Sequence, residues 1–225
     1  LHSLKLAMDI WEERINISVP ITFYVVLPEE MDDDTAISTT VLYSMKSRGV
    51  SIPRSLYLQS YNVIPENMAK DTIRINAFAD WGVSWIYDDV YAGTYSLTTY
   101  FLRHIAHILG FGSSVVDRNG NKGFAVPRSL SSFDRLLDKN GQGLKATFTS
   151  SAIEKYFKGG VNVKTPDAND ALFADGDFHL DTSGKYFSLG HDNLMEHPLV
   201  GASQSLTVNA ETLDVMEAMG WSVSP

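Results

Sequence analysis

The chain contains no cysteine among its 225 residues. Disulfides, thiolate nucleophiles and cysteine-ligated zinc sites are therefore excluded. Basic residues are also scarce, because 18 lysines and arginines stand against 27 aspartates and glutamates, for a formal net charge of −9. A protein that binds nucleic acid needs a basic face, so this charge balance argues against a nucleic-acid partner.

Long apolar runs are missing as well. No stretch approaches the ~20 residues needed to cross a bilayer, and no membrane span is predicted. The opening residues, LHSLKLAMDIWEERI, show no basic segment followed by an apolar one. We therefore expect that any targeting peptide has been removed or never existed. What the chain does have is 44% hydrophobic residues, enough to bury the core of a single domain.

Hydrophobic spacing in the first half predicts secondary structure in the order helix, strand, strand, helix. Residues 4–15 carry one apolar stripe at helical spacing. The run ITFYVVL at 21–27 is typical of a strand buried on both faces. A second strand is predicted near 72–78, where apolar and polar residues alternate. The segment 35–49 fits a short helix or an irregular stretch equally well.

The second half is richer in turns. DRNGNKG (117–123) and DKNGQG (138–143) are Asn-Gly turns between hydrophobic residues, and they predict hairpins or tight loops. DANDALFADGDFHLD (167–181) carries several aspartates but lacks the spacing and the closing glutamate of an EF-hand, so we expect an acidic loop and no calcium. A helix is predicted near the end, over ETLDVMEAMGW (211–221).

The segment 98–115, TTYFLRHIAHILGFGSSV, is predicted to belong to a helix from about Ser96 to Leu109, with Thr94 or Ser96 as its N-cap and Gly110 as the residue that ends it. Zinc peptidases take two ligands from one helix face through H-E-x-x-H, where the glutamate removes a proton from metal-bound water. Here Arg103 occupies the first-ligand position and His104 the glutamate position, whereas His107 stands where the second ligand belongs. By itself, such a pair of histidines is more often structural than metal-binding.

Two further motifs change that reading. Together with LRHIAHILGFGSS, the stretches SLGHDNLMEHP (188–198) and TLDVMEAMGW (212–221) resemble the leishmanolysin-type metzincin zinc metallopeptidases and their bacterial secreted relatives. In that family the helix motif ends H-x-L-G-F and the third histidine follows a long insertion. A Leu-Met-x-x-Pro Met-turn and a helix ending in Gly-Trp or Gly-Phe come next. The resemblance covers most of the chain, and these three motifs are its specific part.

The resemblance implies roles for four residues. His107 matches the second zinc ligand and His191 the third, while Met195 matches the Met-turn methionine and Gly110 the turn glycine. No residue of this sequence matches the family's first zinc ligand or its general base, because Arg103 and His104 stand at those two positions.

The resemblance also implies a fold and a location. We expect a metzincin-like α/β (α+β) fold over residues 1–225, with an N-terminal lobe (about 1–112) of mixed sheet and two helices. An irregular C-terminal lobe (about 113–225) would follow, with a cleft between the lobes. Export to a bacterial envelope, or secretion, is implied as well.

The two substitutions indicate that the peptidase chemistry is lost. A guanidinium has no lone pair to offer zinc. At roughly 4 Å its charge would repel Zn²⁺ by about 8 kcal/mol at an effective dielectric of 20. His104 lacks the reach and charge of a glutamate. We therefore expect no zinc in the family's position, and a catalytically inactive metallopeptidase homologue that binds protein or peptide in the cleft.

Other interpretations stay open. One is an active zinc endopeptidase with a rebuilt metal site, formed by His104, His107 and His191 with help from Glu196 or His197. Another is a structural or adhesive envelope module with an empty cleft. In either inactive form, the guanidinium of Arg103 could fill the metal space and bond to His191, Asp192 or Glu196.

Overall fold

The computed structural model describes most of the chain, namely residues 2–29, 31, 37–62, 69–79, 81–82, 95–158, 161–165, 172–174, 194 and 207–224. Within these ranges the protein is mixed α/β, with five helices and several small sheets. None of the described helices is long and apolar enough to cross a membrane.

The helices confirm most of the sequence predictions. They are α1 (His2–Arg14), α2 (Arg54–Tyr61), α3 (Leu97–Ile108), α4 (Ser150–Phe157) and α5 (Ala210–Met219). The prediction of two helices within about residues 1–112 is wrong, because α2 is a third. Its eight residues follow Pro53 and are too few to show a helical period, and the burial of Leu56 and Leu58 against the rest of the fold stabilises it.

The largest N-terminal sheet is mixed. It has the order β1 (Phe23–Val26), β5 (Asp71–Ile75), β2 (Ile37–Thr40), with β1 parallel and β2 antiparallel to β5. The strand predicted near 72–78 is thus confirmed as β5, and its odd-numbered isoleucines are buried while Arg74 is exposed.

The strand predicted over 21–27 exists as β1, but the prediction that it is buried on both faces is wrong. Phe23 is partly buried, whereas the following residues, Tyr24, Val25 and Val26, are exposed. β1 lies at the end of its sheet and pairs only with β5 among the described strands. The apolar run alone could not indicate this, because its composition is the same whether other elements cover both faces of the strand or leave the strand at an open edge.

The undecided segment 35–49 contributes two strands. They are β2 and β3 (Tyr43–Ser47), and β3 forms a hairpin with β4 (Val50–Pro53). A short parallel pair follows between β6 (Trp81–Gly82) and β7 (Tyr95–Ser96), directly before α3.

Both Asn-Gly turns are confirmed as hairpins. One joins β8 (Val115–Arg118) to β9 (Asn121–Phe124), and the other joins β10 (Leu137–Lys139) to β11 (Gln142–Gly143). All four loop residues have positive φ, between 53° and 81°, as a two-residue type I′ turn requires. β10 also pairs with β12 (Val161–Val163), which pairs with β13 (Leu172–Ala174).

Asp71, the first residue of β5, is a buried carboxylic acid at 3% exposure. Its Oδ1 accepts a hydrogen bond from the backbone N–H of Leu42 at 2.6 Å. Burial raises the pKa of Asp71 to about 6, although the Leu42 bond and the charge of Arg54 act in the opposite direction. The neutral acid is therefore the form that the fold favours.

This raised pKa predicts a loss of stability as the pH rises. The folded protein holds the Asp71 proton up to about pH 6, whereas the unfolded chain releases it near pH 3.8. The free energy of unfolding should therefore fall between about pH 4 and 6, by roughly 3 kcal/mol at 1.36 kcal/mol per unit, and this contribution should stay lost above that window.

Urea denaturation at pH 4, 5, 6 and 7 measures the effect. Asp71→Asn keeps an acceptor for Leu42 and should remove this part of the pH dependence. Asp9→Asn, at an exposed residue paired with Lys5, is the matched control and should leave the fall in place. An equal fall in the parent protein and in Asp71→Asn would show that Asp71 does not titrate as inferred.

Candidate functional site on the α3 helix

The N-terminus of α3 is capped by a side chain. The Oγ of Ser96 accepts a hydrogen bond from the N–H of Thr99 at 3.3 Å, and Ser96 adopts an extended backbone, as an N-cap residue does. Beyond this cap, every residue from Phe101 to Ile108 is buried. From Phe101 to Ile108 the side chains are apolar on all sides of the helix, apart from Arg103, His104 and His107. This pattern is typical of a helix enclosed by a core.

The C-terminus of α3 ends in a Schellman motif around Gly110. The N–H of Gly110 donates to the carbonyl of His107 at 2.8 Å, and the N–H of Phe111 donates to Ala106 at 2.9 Å. Gly110 has a φ of 102°, a conformation that side chains with a Cβ rarely adopt. Its predicted role as the residue that ends the helix is confirmed.

Two side chains from distant elements bind the last carbonyls of α3. The Oγ of Ser55 on α2 donates to the carbonyl of Ile108 at 2.7 Å, and Nε1 of Trp221 donates to Leu109 at 2.8 Å. The last carbonyls of a helix have no partner within the helix, and burial removes the water that would bind them. The two side chains replace that water. The C-terminal end of α3 is therefore fixed by α2 and by Trp221, which follows the Gly220 cap of α5.

His107 is 7% exposed, and its orientation is set by the Schellman turn. Its Nδ1 lies 2.6 Å from the carbonyl oxygen of Phe111. A carbonyl can only accept, so Nδ1 carries the proton and donates it. In the neutral ring Nε2 then holds the lone pair, and this backbone bond is the arrangement that orients many metal-binding histidines.

His104 is fully buried at 0% exposure. Its Nδ1 lies 2.6 Å from Oγ1 of Thr39 on β2, and its ring stacks on Tyr100 with centroids 6.2 Å apart. Among the residues that the structure describes, none forms a hydrogen bond with its Nε2. Burial first, and then the charges of His107 and Arg103, hold the pKa of His104 well below its usual value, so the ring is neutral at pH 7.

The two histidine rings are neighbours. Their centroids are 5.5 Å apart and their planes meet at 66°. Two imidazoles that share a tetrahedral zinc, with each nitrogen about 2 Å from the metal, have ring centroids about 5 Å apart. The pair His104–His107 is therefore close enough to share a metal ion, although two ligands fall short of the three that catalytic zinc sites use.

Arg103 lies in the interior at 2% exposure and is among the largest fully buried side chains. Its charge contributes to the lowered pKa of His104, the next residue of the helix. The Arg103 side chain is thus buried in the fold and does not extend into solvent, which would have ruled out a role for its guanidinium inside the fold.

The other predicted site residues lie outside the described part of the chain. They are His191 and Met195, together with the possible partners Asp192, Glu196 and His197. Leu194 is described and is fully buried. The acidic segment 167–181 is also outside it, apart from the backbone of 172–174. Among the residues that are described, no three His, Asp or Glu side chains are grouped so as to hold a metal ion.

Thr39 is the member of the site that sequence reasoning missed. It is 65 residues from His104 and lies in the segment whose secondary structure was left undecided. No local pattern indicates which strand meets α3, so the sequence carried no signal for this contact.

Comparison of the chain with protein-family models, with curated proteins and with solved structures finds no match. The resemblance to the leishmanolysin-type metallopeptidases therefore rests on the three motifs quoted above.

Proposed function

We propose that this protein is a catalytically inactive homologue of the leishmanolysin-type metallopeptidases, exported to a bacterial envelope or secreted, that binds protein or peptide without cleaving it. The burial of Arg103 in the helix that would carry the zinc ligands is the observation that supports this proposal. A charged guanidinium enclosed there occupies the first-ligand position and repels any divalent cation beside it.

The state of His104 supports the same proposal. A peptidase needs a group at this position that takes a proton from water. The lowered pKa of His104 makes its protonated form costly, and Thr39 already occupies its Nδ1. The described residues thus do not fit the zinc that the resemblance implies, and no catalytic step through a metal follows from them.

Metal content tests the proposal. Protein purified without chelator should contain far less than one zinc per chain, and it should not cleave an unfolded protein such as casein. Arg103→His combined with His104→Glu restores both missing groups and should raise zinc affinity by roughly a thousandfold or more, because even half of the ~8 kcal/mol repulsion corresponds to about three factors of ten.

Arg103→Leu is the matched control, since it removes the charge without adding a ligand and should give a smaller gain. One equivalent of zinc in the unmodified protein, with cleavage that a chelator abolishes, would overturn the proposal. If the double variant gains neither zinc nor activity, the resemblance in the second half of the chain is superficial.

A second candidate is an active zinc endopeptidase with a rebuilt site, and the 5.5 Å separation of the His104 and His107 rings favours it. This candidate predicts bound zinc in the unmodified protein that is lost in His104→Phe. The inactive homologue predicts no difference in zinc content between the two proteins. Metal analysis of this one pair therefore separates the candidates.

A further inference from the structure

The edge strand β1 presents an apolar surface on both of its faces. Tyr24 is 53% exposed, Val25 and Val26 are each 37% exposed, and Leu27, which follows the strand, is 66% exposed. Successive side chains of a strand point to opposite faces, so both faces of this segment carry partly exposed apolar side chains. Natural sheets usually protect an open edge with a charge, a proline or a bulge, and residues 23–27 contain none of the three.

The charges around β1 are unequal at its two ends. At the N-terminal end, the Nζ of Lys70 lies 5.1 Å from the centre of the Tyr24 ring, and Lys70 directly precedes β5. At the C-terminal end the sequence continues as PEEMDDD, and Glu29 is exposed. The strand between these ends carries no charge, although the chain as a whole has a net charge of −9.

We propose that β1 pairs in antiparallel fashion with β1 of a second copy of this chain, so that two three-stranded sheets form one continuous sheet. An antiparallel two-fold arrangement brings the Glu29 end of each strand to the Lys70 end of the other. The uncharged centre places no like charges opposite one another in the paired strands. A copy of β1 supplies apolar side chains to both faces, which is what the open edge requires.

The absence of cysteine allows a direct test, because a single introduced cysteine is then the only thiol in each chain. In a symmetric antiparallel pair one residue lies opposite its own copy, with Cα atoms about 4.5–5.5 Å apart, within reach of a disulfide. Each neighbour in the sequence is displaced from its own copy by two residues along the strand, so a cysteine there is too far from its copy to form a disulfide.

Single cysteines at Tyr24, Val25, Val26 and Leu27 are therefore expected to give one position that forms a disulfide-linked dimer rapidly, with slower neighbours. Phe78→Cys, at a residue 87% exposed and away from β1, is the control for random collision. If no position in β1 cross-links faster than Phe78→Cys, or if all four cross-link equally, the proposed pairing is wrong.

Sedimentation velocity over a range of concentrations gives an independent readout on protein without added thiols. Val25→Lys would place an ammonium group in the pairing surface of each copy, and the dimer dissociation constant should rise at least about tenfold. Met45→Lys, at an apolar residue 56% exposed on β3, is matched in chemistry and should leave the dimer intact.

Circular dichroism confirms that both lysine variants are folded. An unmodified protein that stays monomeric up to about millimolar concentration, a range where even weak pairing is visible, would overturn the proposal. So would a dimer that Val25→Lys leaves unchanged. Neither result bears on the proposed loss of peptidase activity, because that is measured by zinc content and cleavage.

Discussion

Alanine in place of Gly110 is expected to lower the free energy of unfolding by roughly 3 kcal/mol. Two effects add. A residue with a Cβ held at the φ of 102° found here costs about 1–2 kcal/mol. The added Cβ would also overlap the ring of Pro53, and forcing extra volume into a packed site costs typically about 1–3 kcal/mol.

Urea denaturation of Gly110→Ala measures this loss, and Gly120→Ala separates its two causes. Gly120 has a φ of 81° in the β8–β9 turn, and a Cβ placed there meets nothing within 4 Å. This control should therefore show the backbone cost alone, about 1–2 kcal/mol. Equal losses in the two variants would mean that the approach of Pro53 to the end of α3 is looser than the structure has it.

Gly110 also matters for the candidate site, because the turn it allows positions Phe111. The carbonyl of Phe111 orients His107 by accepting from Nδ1. In the variant built to regain zinc, Arg103→His with His104→Glu, a further Gly110→Ala should therefore weaken zinc binding. The oriented ring would be lost even though every ligand remains.

Truncation of Trp11 to alanine is expected to have the other large effect, a loss of about 3–5 kcal/mol. Trp11 on α1 is 1% exposed, and its Nε1 donates to the carbonyl of Leu102 on α3 at 2.9 Å. The indole is thus both a large part of the contact between α1 and α3 and a polar link between them. Its removal leaves a cavity that neighbouring side chains can fill only in part.

Trp11→Phe is the informative partner variant. It keeps an aromatic ring in the core and loses the hydrogen bond, so it should cost clearly less than Trp11→Ala, with about 1 kcal/mol due to the lost bond. Thermal or urea unfolding of both variants gives the comparison. A loss below about 1 kcal/mol for Trp11→Ala would contradict the packing of α1 on α3 described here.

The candidate site was predictable in part. The helix and its Gly110 stop follow from residue types and spacing, and so does an N-cap at Thr94 or Ser96, because capping and the left-handed turn involve neighbours along the chain. The structure shows that Ser96 is the cap. The position of Arg103 at the first-ligand place can also be read from the motif. The burial of Arg103 and the contact between Thr39 and His104 could not be predicted from the sequence, because both depend on how distant elements such as β2 pack on α3.

The sequence by itself determined the local elements. Helical spacing determined α1 and α3, alternation determined β5, and the Asn-Gly pairs determined two hairpins, since each depends on dihedral preferences within a few residues. Tertiary structure decided which of these elements meet and which surfaces stay open. It placed the apolar β1 at the end of its sheet among the described strands, stabilised the short α2, and raised the pKa of Asp71 by burying it. Those outcomes depend on contacts between residues far apart in the chain, and local periodicity carries no information about such contacts.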